Sequence, residues 1–177
     1  MKPTINLWLV AALSLALFSA CAKKQESPSA TEANIVVVRM IFDSVVNAHN
    51  PAAVDKYFAA NVVEHLSDMS KSYQGIKNMK ARWTDLFAKI PDVHITVDEV
   101  FGSDNRLCVV SRMSGTLKGH SASNPGDDRK LTDIRVIDIL RFKDGKCIDR
   151  WGISDQEATM TQLGYEVVPP SPSGFRK

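Results

Sequence analysis

The spacing of apolar residues changes once along this chain, at Pro91, and that change limits the folds open to it. Before Pro91, apolar side chains recur every three or four residues. Val38, Ile41, Phe42 and Val45 form one such stretch; Ile76, Met79, Trp83, Leu86, Phe87 and Ile90 form another. This spacing lines one face of a helix. After Pro91, the stretches Val93–Val100, Arg106–Leu117 and Leu131–Phe142 alternate apolar with polar residues. That is the two-residue period of a strand with one buried face. Helices first and strands second predicts an α+β domain, with N-terminal helices packed on a curved antiparallel sheet.

Local signals set the expected boundaries. A first helix is predicted over Asn34–Asn47; it is crowded with valines, which form helices poorly, so it rests on the pattern. Asn50-Pro51 supplies a cap and a proline at the first helical position, predicting a second helix to about Ala60. Val62–His65 reads as a short strand. Gly75 opens a third helix, and Pro91 ends it. Asp104-Asn105 and Asp144-Gly145 are turns, so the second half reads as a four-stranded antiparallel meander. Asp155 is placed to cap a short helix beginning near Gln156. The domain is expected over residues 33–164, with a cavity between helices and sheet.

The ends carry different signals. Leu7–Phe18 is almost wholly apolar and follows Lys2; it is too short for the roughly 20 residues that cross a bilayer. Residues 1–20 therefore read as a signal peptide. Ser19-Ala20-Cys21 resembles a bacterial lipobox, with Phe18 where leucine is usual. On that reading Cys21 is lipidated, residues 21–32 are a tether, and the membrane is a partner through the lipid anchor. The other reading is ordinary cleavage at Ala20-Cys21-Ala22. Ala22-Lys23-Lys24, after the cysteine, is not the aspartate signal that retains lipoproteins in an inner membrane, so a Gram-negative cell would place the anchor in the outer membrane, facing the periplasm. Residues 165–177 hold three prolines and read as a loose tail.

Several chemistries find no support. With 22 basic and 20 acidic residues, no basic excess exists for nucleic acid. No dinucleotide fingerprint, phosphate loop or Gly-x-Ser-x-Gly elbow occurs. His49, His65, His94 and His120 form no pair at metal-ligand spacing and there is no Cys-x-x-Cys, so no metal and no cofactor is expected. Cys108 and Cys147 fall on strands two apart, too far for a disulfide, and both are expected to stay reduced.

The stretch Ile137–Asp155, followed by Gln162-Leu163-Gly164, resembles the closing strands of the SnoaL-like polyketide (ester) cyclase family. Asn47–Pro51, Val62–His65, the Gly75 helix with Trp83, and Pro125-Gly126 with Arg129 agree in order, so the resemblance covers about Ala33 to Gly164. It implies the cone-shaped barrel shared with nuclear transport factor 2 and ketosteroid isomerase. It also implies ring closure by aldol condensation without cofactor, with an aspartate late in the last strand as acid/base and a histidine on the preceding strand. Anchored on Asp155 and Gln162-Leu163-Gly164, the aspartate position falls at Gly152 and the histidine position at Asp138. Such cones often pair through the open sheet face, so a homodimer is a further expectation.

The residues themselves nominate a site. Asp138 shares a strand face with Ile134, Val136, Leu140 and Phe142, where a carboxylate needs a partner. If Lys143-Asp144-Gly145 is a three-residue loop, Asp138 faces Arg150; if the turn is Asp144-Gly145 alone, Asp138 faces Trp151. The first is preferred, because it puts Asp138, Ile148, Arg150 and Gly152 on one face. Arg150 would then lower the pKa of Asp138, making the pair either a structural link or an anchor for an acidic ligand. His65 and Asp138 are the catalytic candidates if the cone is an enzyme. Trp83 and Phe87, four apart on one helix, are core residues that could also wall the ligand. The expected function is binding of a small, partly apolar molecule, an acidic one if Arg150 is its anchor, with a cyclase or isomerase as the alternative and a protein-interaction module as a third reading.

Overall fold

The computed structural model describes residues 29–65, 72–119 and 126–166. The signal peptide, Cys21, most of the tether and most of the tail lie outside the described residues. Helix α1 (Ala30–Ile41) starts where Ser29 and Glu32 cap each other's backbone: Glu32 N donates to Ser29 Oγ at 3.2 Å and Ser29 N donates to Glu32 Oε2 at 2.7 Å. The helix thus takes in Ala30–Glu32, residues the sequence reading gave to the tether. It continues as a π-helical turn, Phe42–Asn47, that delivers Asn47 to the sheet edge. There the Asn47 amide donates to Ile95 O at 3.0 Å and accepts from Ile95 N at 2.8 Å, as a neighbouring strand would.

A 3-10 turn, Pro51–Ala53, leads into α2 (Val54–Tyr57), which stops short of the predicted end at Ala60. Strand β1 (Phe58–His65) takes over: Phe58 pairs with Cys147 and Val63–His65 pair with Asp149–Trp151 of the last strand, while Phe58 and Val62 are buried in the core. After β2 (Ser72–Gln74) come α3 (Ile76–Lys89), β3 (His94–Ser103), β4 (Arg106–Leu117), β5 (Arg129–Lys143), β6 (Lys146–Ser154) and α4 (Gln156–Gln162), capped by Asp155. The sheet order is β2-β1-β6-β5-β4-β3. Strands β3–β6 form the predicted meander. The short strand expected at Val62–His65 is the second half of β1; it joins the meander parallel to β6, and β2, which was not expected, brings the sheet to six strands. A parallel partner separated by more than eighty residues leaves no turn signal in the sequence.

One face of the sheet packs on the helices. Phe42, Val45, Val54, Phe58, Met79, Leu107, Leu140 and Phe142 are buried in this core, each contributing about 1.5–3 kcal/mol by leaving water. A smaller cluster of Ile90, Val93, Leu131, Ile134 and Leu163 closes the far end. Gln162 ties α4 to this end by exchanging hydrogen bonds with the Thr132 backbone at 2.7 and 3.0 Å.

The β5–β6 hairpin corrects a second expectation. Asp144 (φ 51°) and Gly145 (φ 73°) form a two-residue turn, with Lys143 opposite Lys146 and Phe142 opposite Cys147. Left-handed backbone at both central residues matches the twist of a tight hairpin, so the three-residue loop is not used. Such a turn alone would put Trp151 opposite Asp138. Instead the register shifts at once: Arg141 pairs with Asp149, and Ile148 is an extra residue on β6. The bulge restores the parity, so Asp138 pairs with Gly152, Leu140 pairs with Arg150, and all four share the inner face.

Candidate functional site

A cavity of about 430 Å³ opens between α3 and the inner face of the sheet. Trp83, Leu86, Ile95, Met113 and Val136 give it apolar walls; Glu64, Arg82, Arg150 and Gly152 make its polar part. Each polar group arrives by a simple rule. Glu64 alternates with Val62 on β1, so it shares the inward face. Arg150 comes in through the Ile148 bulge. Arg82 sits beside Trp83 on α3, half-exposed at the edge of the cavity.

These groups form a chain of charges. Arg82 Nε donates to Glu64 Oε2 at 2.6 Å, and Arg150 Nη1 donates to Glu64 Oε1 at 2.5 Å. Arg150 Nη2 lies 2.7 Å from Asp138 Oδ1. The guanidinium also stands 5.4 Å from the centre of the Trp83 ring. Asp138 is fully buried, and neither of its oxygens accepts a well-directed hydrogen bond among the described residues. Its link to Arg150 is therefore a close ion pair without good hydrogen-bond geometry. Burial pushes the Asp138 carboxyl above the usual carboxylate range; Arg150 pulls it down, and Glu64 pushes it further up. This corrects the expectation of a lowered pKa: Arg150 acts in the expected direction, but desolvation outweighs it. The Arg150 pKa is raised: burial opposes the shift, but Asp138 and Glu64 outweigh it.

The other candidates lie elsewhere. His65 reaches the cavity rim, but its position opposite Trp151 places its ring on the outer face of the sheet. There it stacks on Trp151, centroids 4.4 Å apart, and its Nε2 bonds Asp149 Oδ1 at 3.0 Å. Asp149 Oδ2 is held by Arg141. Burial raises the Asp149 carboxyl, yet the bonds from His65 and Arg141 prevail and hold it below the usual range. The structure thus places His65 and Asp138, the two catalytic candidates, on opposite faces of the sheet. Phe87 does not line the cavity; it tilts against His49 at 5.1 Å and Trp83 at 6.0 Å. Trp83 and Arg150 stand where a ligand would meet them, and Asp138 lies beneath Arg150. Sequence reasoning missed Glu64 and Arg82. The alternation from Val62 marked Glu64, rather than His65, as the inward residue.

Beyond the cavity, the outer face carries an apolar row in register, Phe101–Cys108–Ile139–Trp151, beside Val110–Ile137–Ile153. Phe101, Ile137, Ile139 and Ile153 are exposed. Among the described residues no cluster of His, Cys, Asp and Glu is arranged to hold a metal ion.

Comparison with known proteins agrees with this architecture. A family model described as SnoaL-like polyketide cyclase matches residues 36–163. None of the curated proteins matches. A protein from Jannaschia sp. CCS1, described as a candidate SnoaL-like polyketide cyclase, superimposes with a TM-score of 0.66 at 19% identity, covering 82% of this chain and 99% of its own. IdmH from Streptomyces antibioticus, described as a candidate polyketide cyclase, gives 0.62 at 17% identity, covering 74% and 98%. A protein of ketosteroid isomerase-like fold from Catenulispora acidiphila DSM 44928, solved with trimethylamine, gives 0.61 at 16% identity, covering 75% and 97%. At these identities the likeness concerns the fold alone.

Proposed function

This chain belongs to the SnoaL-like polyketide cyclase family, and from that premise we propose that its cone binds a small, partly apolar, acidic molecule, with Arg150 as the anchor. The observation that carries this reading is the setting of Arg150. Its guanidinium lines the cavity, is gripped by Glu64 and Asp138, and lies beside Trp83. A guanidinium has five N–H donors, and the two carboxylates face only its terminal nitrogens. A planar fork fixed in this way suits a carboxylate or phenolate, while Trp83 and Met113 suit an apolar body. Native mass spectrometry of the protein purified from its own envelope fraction tests the reading. A co-purifying organic acid that is absent from Arg150→Met supports it; an empty wild-type protein counts against it.

The enzyme reading has one observation in its favour. A buried carboxyl with a raised pKa beside an arginine has the make-up of a proton-transfer group for a cofactor-independent cyclase or isomerase. Glycine at position 152 and the outward ring of His65 count against it. Turnover of an enolisable diketone that disappears in Asp138→Asn would favour catalysis over binding.

Two further features belong to the same proposal. The lipobox-like Ser19-Ala20-Cys21 supports anchoring to a membrane of the cell envelope through Cys21. The exposed apolar rows on the outer sheet face support a homodimer.

A further inference from the structure

The polar part of the cavity has a charge balance that restricts what can enter it. Glu64 and Asp138 supply two negative charges; Arg82 and Arg150 supply two positive ones. At the rim, Lys89 and Asp85 cancel at 2.9 Å. With every group ionised the sum is zero, so an entering anion would bring an uncompensated charge into a partly closed, low-dielectric space. One group can change that sum. Arg150 is shared between Asp138 beneath it and the cavity that it lines. Among the described residues Arg150 is the one cation in contact with the Asp138 carboxylate, whose oxygens have no other polar partner there, and a ligand that draws Nη2 away takes it.

We propose that the cavity takes up a singly charged organic anion together with one proton, which Asp138 receives. This rests on the ligand-binding reading above and deepens it. In the exchange, the Arg150 ion pair passes from Asp138 to the ligand carboxylate, and a proton from solvent converts the Asp138 carboxylate to a carboxylic acid. The floor then holds Glu64 against Arg82 and Arg150, a net charge of plus one, which a monoanion neutralises and a dianion exceeds. Among the described residues, few titratable groups surround Asp138. From β4, Val109 stands opposite it; from β6 come Gly152 and Arg150; from β1 comes Glu64, which Arg82 of α3 holds from the far side. The other titratable neighbours among the described residues are thiols, Cys108 on the outer side of β4 and Cys147 near Arg150, and burial holds both protonated. Burial of Asp138 favours its neutral form in the same sense.

Calorimetry with 2-naphthoate tests this on the wild-type protein and on Asp138→Asn, with 2-naphthamide and 2,6-naphthalenedicarboxylate for comparison. An aryl carboxylate stays ionised above about pH 5, so any pH dependence above that belongs to the protein. In wild type, titrations in two buffers of different ionisation heat are expected to show one proton taken up per ligand. Affinity is expected to fall by about tenfold per pH unit above the pKa of Asp138 in the empty cavity. Asp138→Asn keeps the floor at plus one, so it is expected to bind 2-naphthoate without proton uptake, and more tightly than wild type at high pH. The amide and the dianion are expected to bind at least about tenfold more weakly than 2-naphthoate. Binding of 2-naphthoate to wild type with no proton uptake and no pH dependence overturns the inference and leaves the ligand-binding reading standing. Absence of 2-naphthoate binding to both proteins at every pH overturns the inference and the ligand-binding reading together.

Discussion

The carboxylate of Asp138 occupies the space that a side chain on Gly152 would need. The two residues face each other across β5 and β6, and a Cβ at position 152 would stand 2.8 Å from Asp138 Oδ1 and 3.2 Å from Arg150 Nη2. The resemblance to the cyclases implied an acid on β6 at this point; here a carboxylate reaches the same space from β5, and glycine is what leaves room for it.

Gly152→Ala is therefore expected to destabilise the fold by about 1–3 kcal/mol, as overpacking in a closed site does. The cost arises from contact with Asp138 and not from backbone strain. Combining it with Asp138→Ala should recover most of the loss. Denaturant melts of the two single variants and the double variant measure the coupling; additive losses would mean that the two side chains do not compete for space.

Arg150 and Asp138 should respond very differently to replacement. Arg150→Met leaves two buried carboxylates without their shared cation, an expected cost of about 3–5 kcal/mol. Asp138→Asn leaves Arg150 paired with Glu64 and should cost about 1 kcal/mol or less near pH 7. The sign with pH follows from the raised carboxyl of Asp138. The folded state binds this proton more tightly than the unfolded chain, so its stabilising effect is full below the unfolded pKa and is lost as pH rises through the folded one. Wild type should thus lose stability relative to Asp138→Asn as pH rises above the ordinary carboxylate range, in urea melts at a series of pH values.

Asn47→Ala removes both hydrogen bonds to the Ile95 backbone at the edge of β3. An expected loss of about 1–3 kcal/mol follows from leaving a buried donor and acceptor unpaired. Hydrogen exchange should show the Ile95 amide losing protection well before the centre of β4. Unchanged protection would show that the edge is held by packing alone.

Cys108 and Cys147 lie on strands separated by β5, one on the outer face and one in the core. With Cys21 replaced by serine, both thiols should be countable after unfolding, even in protein from an oxidising compartment. Cys108 should react first in the native state. Burial holds the Cys147 thiol up to about 12, so it should react only on unfolding. Simultaneous native reactivity would contradict the inward placement of Cys147.

Cys21→Ser should release the protein into the soluble fraction or stall its processing, because acylation needs the thiol. Metabolic labelling with a palmitate analogue should mark wild type only. Equal labelling of both proteins would remove the lipid-anchor proposal.

The helix-then-strand order, the meander and the Asp155 cap were legible because each depends on residues close in sequence. What escaped depends on distant partners. The start of β1 at Phe58 is decided by a strand that begins at Lys146. The Ile148 bulge carries no glycine or proline to announce it, yet it places Arg150 on the same face as Asp138. The rise in the Asp138 pKa was misjudged because a pairwise view of two opposite charges omits the cost of drying both. Glu64 was within reach of the two-residue period, but the histidine beside it drew the chemical reading.

The parallel contact of β1 with β6 also sets a timetable for the molecule. Val63, Glu64 and His65 must wait for Asp149, Arg150 and Trp151, some eighty-six positions later. At about 5–20 residues per second, a ribosome leaves β1 without that neighbour for several seconds. The helices and the β3–β5 meander can assemble by local contacts in that interval; the charged floor cannot, since Glu64 and Asp138 are joined only through the strand made last. Loop closure over so long a separation is slow, so the closing of the cone is expected to limit the folding rate. Truncations that stop before Arg150 would leave an open sheet edge and an acidic hollow, a species for quality control to recognise.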